Sequence, residues 1–262
     1  MSIKKIGIVG IGAIGSAVAK KLTSAEGLYG FELGCISDPD PKVHFGVDNV
    51  SIDALVAQSD LIIECLPARC VPDLAEATFR ANKDIIFISS AALLLYPQIV
   101  DNLKQSKSRA YLPSGALCGL DGVIAMREMG IESSKIASFK PPKGFSGAPF
   151  IVENDIDLDQ ITQKTLIFEG NALDASRGFP ANVNVAATLS LAGIGAQDTR
   201  VEIWADPAAT GNAHQITVTS AYSTLTSRIE NMPDPANPKS SVLAAQSIVA
   251  TLRNMNSALV IS

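Results

Sequence analysis

The sequence predicts an α/β protein: an N-terminal Rossmann-type, doubly wound parallel sheet followed by an α+β domain. Three observations predict it. A G-x-G-x-x-G run, Gly10–Gly15, lies between a short apolar strand pattern and a helical pattern. Continuous apolar runs then alternate with helical periodicity through residue 118. Beyond that point the alternation gives way to longer β-like stretches with few helices between them.

Each element has its own signal. Lys5–Val9 is an apolar run that ends in glycine, a buried-strand pattern. Ala13–Thr23 places Ile14, Ala17, Val18 and Leu22 on one helical face. Phe31–Ser37 reads as the second strand, closed by the turn-forming Asp38-Pro39-Asp40-Pro41. Ser51–Ala57 is a short helix with Ser51 as its N-cap. Asp60–Cys65 and Asp84–Ile88 are unbroken apolar runs, as strands covered on both faces require. Val71–Arg80 between them is helical, and Pro72 is tolerated in its first turn. Gln98–Lys107 and Arg109–Leu112 supply the next helix and strand. In the second half Gly119–Met129 is a helix, and Ser133–Phe139, Lys164–Phe168, Arg200–Trp204 and Gln215–Thr219 are strands. One helix, Asn182–Leu191, lies among them. An amphipathic helix, Ser240–Arg253, follows a loop holding Pro233, Pro235 and Pro238.

Composition narrows the function classes. Hydrophobic residues make up 47% of the 262 and charged residues 18%, which excludes a disordered chain. The net charge is -5, with no Lys/Arg cluster, so a nucleic-acid partner is not expected. No apolar run reaches the roughly 18–20 residues of a membrane span. The apolar start MSIKKIGIVGIGAIG reads as a strand and glycine turn rather than a signal peptide. Cys35, Cys65, Cys70 and Cys118 are irregularly spaced, which points to reduced thiols in a cytoplasmic protein and to no metal site.

The glycine loop carries the first chemistry. Gly10 permits the tight turn, Gly12 lets backbone approach a pyrophosphate, and Gly15 lets helix and strand pack closely. Gly12, Ala13, Ile14 and Gly15 open the helix, whose free N–H groups attract the anion. Asp38, at the end of the second strand, is placed to accept ribose hydroxyls, or is simply a turn residue before proline. A carboxylate there favours NAD over NADP, and no arginine between residues 35 and 45 welcomes a 2′-phosphate; NADP stays open. The expected organisation is therefore a dinucleotide-binding domain over 1–118 and a substrate and dimerisation domain over 119–239, with 240–262 packing back on the first.

Six ordered motifs span essentially the whole chain. They are Gly10–Gly15, Pro113–Ala116, Phe168-Glu169-Gly170-Asn171-Ala172, Phe179–Ala187, Ala205-Asp206-Pro207 with Asn212-Ala213-His214, and Asn237-Pro238-Lys239-Ser240-Ser241. In these the sequence resembles the L-aspartate dehydrogenase family. The resemblance implies NAD(P)-dependent oxidation of L-aspartate to iminosuccinate, which hydrolyses to oxaloacetate and ammonia. It also implies a homodimer and a link to NAD biosynthesis. His214 matches the family's active-site histidine, Ala116 and Asn184 match positions at the nicotinamide end of the cofactor, and Lys140 resembles a family lysine. The residues themselves agree on His214, because imidazole titrates near neutral pH and serves proton transfer. Lys140, Asn182 and Asn212 suit a substrate carboxylate, though each serves equally as a turn or capping residue.

The sequence departs from the family pattern at Leu66–Cys70, Ala91, Asn171 and Tyr222. These departures leave open a dehydrogenase of the same architecture for another amino or hydroxy acid. A dinucleotide-binding module without turnover is the remaining alternative.

Overall fold

A computed structural model describes residues 3–234 and 237–261, with only the backbone at 233, 234 and 237–241. The chain forms two compact units, Met1–Gly115 with Leu243–Ser262, and Ala116–Val242.

In the first unit β1 (Lys4–Val9) leads through the glycine turn into α1 (Ala13–Leu22), followed by β2 (Phe31–Ser37). Then come β3 (Asp48–Asn49), α2 (Ile52–Gln58), β4 (Leu61–Glu64), α3 (Val71–Arg80) and β5 (Asp84–Phe87). α4 (Ala91–Leu95), α5 (Gln98–Gln105) and β6 (Ala110–Tyr111) complete the run. The strands are parallel in the order β3-β2-β1-β4-β5-β6, so the direction of winding reverses beside β1.

The unbroken apolar runs are covered on both faces. Ile6, Ile8, Leu61, Ile63 and Ile86 pack on one side with Val18 and with Ile248 and Leu252 of the C-terminal helix, Val242–Asn256. Ile62, Ile85 and Phe87 face the other side, against Leu55, Leu74 and Phe79. Residues alternate between the two clusters because strand side chains alternate between faces.

In the second unit α6 (Leu120–Met129) precedes β7 (Ile131–Lys140), α7 (Pro149–Glu153), β8 (Thr165–Asn171), α8 (Ala172–Gly178) and α9 (Asn184–Ala192). β9 (Thr199–Ala205), β10 (Asn212–Ser220) and β11 (Thr224–Asn231) follow, then the short pair β12 (Pro233–Asp234) and β13 (Asn237–Ser241). The five-stranded sheet has the order β11-β10-β7-β9-β8 and is antiparallel except between β7 and β9. Ile136, Val201, Ile203, Ile216 and Val218 are buried on the face that α6 and α9 pack against. The other face carries the stacked pair Phe139–Trp204, with Lys164 4.2 Å from the Phe139 ring centroid, and a 2.5 Å ion pair between Lys135 and Glu202.

Several boundaries differ from the sequence reading. The first unit ends at Gly115 rather than residue 118, and it resumes at Leu243 rather than 240. Gly115 N–H donates to Ser247 Oγ at 3.1 Å, tying it to the C-terminal helix. Cys118 belongs instead to the second unit, where its carbonyl accepts from Ser227 Oγ at 2.9 Å. β11 is absent from the sequence reading because on its half-buried face Ser227 and Asn231 alternate with Leu225 and Ile229, which breaks the apolar run. α8 was missed too; Asn171 caps it, its Oδ1 accepting from Asp174 N–H at 2.8 Å. Part of the expected proline loop pairs as β12 and β13, while Pro235 lies outside the described residues.

Candidate functional site

The first unit builds a cradle at the carboxyl end of β1. Gly10 has φ +91, and a Cβ there would stand 2.4 Å from the Cys65 carbonyl oxygen. A Cβ on Gly15 would stand 2.0 Å from the Gly10 carbonyl oxygen, so neither position admits a side chain. At Gly12 an added Cβ meets nothing within 4 Å, and this N-cap makes no side-chain bond to the first turn of α1. The N–H groups of Ala13, Ile14 and Gly15 lie in that uncapped first turn. Open space beside uncapped N–H groups at a helix start fits a dinucleotide pyrophosphate.

Asp38 sits at the same edge. Its Oδ2 accepts from Ile11 N–H at 2.6 Å and its Oδ1 from Asp40 N–H at 2.9 Å. The carboxylate thus both shapes the turn and lies against the glycine loop, with lone pairs left for further donors.

In the second unit the register of β7 against β10 places His214 opposite Ser138. Alternation puts Lys140 and Asn212, two residues further along each strand, on the same face. Ser138 Oγ lies 3.0 Å from His214 Nδ1, and Lys140 Nζ donates to Asn182 Oδ1 at 2.7 Å. The Asn182 segment, between α8 and α9, is therefore tied to the end of β7 at this point. The strand read at Gln215–Thr219 begins earlier, at Asn212, so His214 is the third residue of β10 and only 4% exposed. Ala116 begins the second unit directly after Gly115, and Asn184 is the first residue of α9, two beyond Asn182.

Residues 121–255 match the family described as aspartate dehydrogenase, C-terminal, and residues 10–113 match the homoserine dehydrogenase NAD binding domain. L-aspartate dehydrogenase 3 of Bordetella bronchiseptica is 41% identical, over 96% of this chain and 94% of its own length. L-aspartate dehydrogenase of Methanococcoides burtonii is 40% identical, over 96% of each. The crystal structure of aspartate dehydrogenase from Thermotoga maritima superposes with a TM-score of 0.78 at 28% identity, covering 99% of both chains. The chain belongs to the aspartate dehydrogenase family.

The electrostatics of this aspartate dehydrogenase family member set its two titratable site residues apart. Burial first, and the nearby charge of Lys140 second, lower the pKa of His214 from 6.5 to about 3, so its ring is neutral at physiological pH. Burial alone lowers Lys140 from 10.5 to about 8. A cation and a neutral imidazole thus share one face of the sheet.

Sequence reasoning passed over two further residues. Ser138 carries no motif, although strand alternation from Lys140 places it on the site face. Glu64 is 0% exposed at the end of an otherwise apolar strand, and an acid at the end of such a run was the available signal. The departures from the family pattern have structural placements: Asn171 caps α8, and Tyr222 is 85% exposed in the β10–β11 turn. Ala91 is the buried first residue of α4. Among the described residues no group of three or more His, Cys, Asp or Glu is gathered to hold a metal ion, and no helix is long and apolar enough to cross a membrane.

Proposed function

We propose that this protein oxidises L-aspartate at Cα to iminosuccinate, which hydrolyses to oxaloacetate and ammonia, using NAD, with NADP as the alternative cofactor. The observation that carries the reading is the Lys140–His214 group: a buried lysine ammonium beside a neutral imidazole on one sheet face, which suits a carboxylate substrate. NAD(P), when bound, supplies the acceptor for the hydride leaving Cα.

The chain's own residues do the rest. Gly10, Gly12, Ala13, Ile14 and Gly15 hold the pyrophosphate, and Asp38 holds the adenosine ribose. Ala116 and Asn184 serve the nicotinamide end. Lys140, Asn182 and Asn212 hold the dicarboxylate, since a charged donor and amide donors together satisfy carboxylate oxygens. His214 accepts a proton from the substrate ammonium or from attacking water: with Nδ1–H donating to Ser138 Oγ, Nε2 offers the lone pair, and the bound dicarboxylate, by offsetting the Lys140 charge, raises the proton affinity of the ring from the low value that burial and Lys140 set.

We assign the protein to the cytoplasm as a homodimer, with the Phe139–Trp204 face of the second sheet as the contact surface. Helices of the second unit pack on the opposite face, which supports this choice. The product iminosuccinate suits a supply role in NAD biosynthesis.

The test is NADH formation from NAD and L-aspartate at alkaline pH, with His214→Ala beside the native protein. NADH production that falls by at least about 100-fold in the variant supports the assignment, because general acid–base groups contribute about 10²–10⁴-fold. Native protein that binds NADH yet leaves aspartate untouched fails it. A panel of other amino and hydroxy acids then separates a different substrate from a binding module without turnover.

A further inference from the structure

Glu64 ends β4 with a carboxylate fully removed from solvent, yet no cationic side chain among the described residues forms an ion pair with it. Its partners are backbone N–H groups from two different loops. Oε1 accepts from Leu66 N–H at 2.5 Å, in the segment after β4. Oε2 accepts from Ile88 N–H at 3.2 Å and Ser89 N–H at 3.0 Å, in the segment after β5. Ser89 Oγ returns the link by donating to the Leu66 carbonyl at 2.6 Å. Burial raises the Glu64 pKa, and the backbone donors pull it back only in part. A neutral isostere cannot do the same work, because a carboxamide has one acceptor oxygen and would turn an NH₂ toward an N–H donor.

These loops lie at the nucleotide edge. Cys65, the next residue, donates its N–H to the Val9 carbonyl at 2.8 Å. Its own carbonyl is the atom that excludes a side chain from Gly10. The strand order β2-β1-β4-β5 sets Asp38 on one side of the glycine turn and Glu64 with Ser89 on the other. A dinucleotide with its pyrophosphate at α1 and its adenosine ribose at Asp38 must send its second nucleoside toward the ends of β4 and β5.

Resting on the NAD(P) reading above, we propose that Glu64 is a positioning residue for the nicotinamide half of the cofactor. It acts by fixing the loops after β4 and β5, one carboxylate oxygen to each. It touches neither substrate nor reacting atoms.

The experiment titrates full-length native protein and Glu64→Gln with NADH and with ADP-ribose, which lacks the nicotinamide. Native protein that binds neither ligand overturns the nucleotide site itself, and this inference with it. Given native binding of both, the expected result in Glu64→Gln is unchanged ADP-ribose affinity and NADH weakened by about tenfold or more, the effect of orphaning a buried donor. A parallel loss of both ligands, or a loss of neither, overturns the positioning role. If Glu64→Gln does not fold, Ser89→Ala removes the second tie between the same loops and is expected to weaken NADH about threefold. Native NADH affinity in a folded Ser89→Ala protein then overturns the proposal.

Discussion

Nδ1 of His214 lies 3.0 Å from the hydroxyl of Ser138, directly across the β7–β10 ladder. The bond occupies one ring nitrogen, so Ser138 orients the imidazole and leaves Nε2 for the proton transfer proposed above. Ser138→Ala is expected to lower kcat with aspartate by up to about tenfold, the worth of one hydrogen bond. His214→Ala should cost about 10²–10⁴-fold. Steady-state kinetics on both variants check this. A serine variant with native kcat, or one as damaged as the histidine variant, removes Ser138 from the orienting role.

The same burial makes His214 a source of acid instability. The unfolded chain takes up this proton near 6.5, whereas the folded chain resists it down to about 3. Between those values the unfolded state holds the extra proton. The contribution is complete above about pH 6.5 and is lost as pH falls toward 3, at up to about 1.4 kcal/mol per pH unit. Urea unfolding between about pH 7 and pH 4 should show a shallower slope for His214→Gln than for native protein. Equal slopes place the acid sensitivity on other groups.

The first unit was legible because parallel strands buried on both faces leave unbroken apolar runs. Phe31–Ser37 and Val71–Arg80 stand where the sequence reading put them. β11 escaped because its half-buried face interleaves Leu225 and Ile229 with Ser227 and Asn231, too dilute an apolar period to read as a strand. His214 and Lys140 were legible through their motif neighbours, and Asn182 through its helix start. Their joining was not, since the 2.7 Å Lys140–Asn182 bond links residues 42 apart in sequence. Ser138 and Glu64 owe their roles to register and burial, which no local pattern reports.

Asp38 is expected to set cofactor choice. Its carboxylate lies against the glycine loop through Ile11 N–H, and a 2′-phosphate at the neighbouring ribose would meet like charge. Asp38→Ser should weaken NAD by about tenfold, the scale of a charge-assisted bond, and narrow the NAD-over-NADP preference by at least as much. kcat/KM measured with each cofactor decides it. An unchanged preference would leave Asp38 as a turn residue alone.

Lys140 offers the sharpest test of the substrate site. Burial holds its pKa near 8, so the ammonium proposed to bind a substrate carboxylate is present below that pH and is lost above it. Aspartate itself blurs the measurement, because its own amine titrates in the alkaline range. Succinate, a dicarboxylate without an amine, has no such titration. Its inhibition constant should be flat below about pH 8 and then rise by about tenfold per pH unit as Lys140 deprotonates. Lys140→Arg keeps its charge throughout, so its constant should stay flat across the range, even if binding is weaker. Lys140→Met should weaken succinate by about tenfold or more at neutral pH and abolish the alkaline rise. The methionine variant also removes the second cause of the low His214 pKa, so that ring should titrate higher, with burial still holding it below 6.5. Native protein whose succinate affinity ignores pH between about 7 and 9.5 would show that Lys140 does not hold the substrate carboxylate.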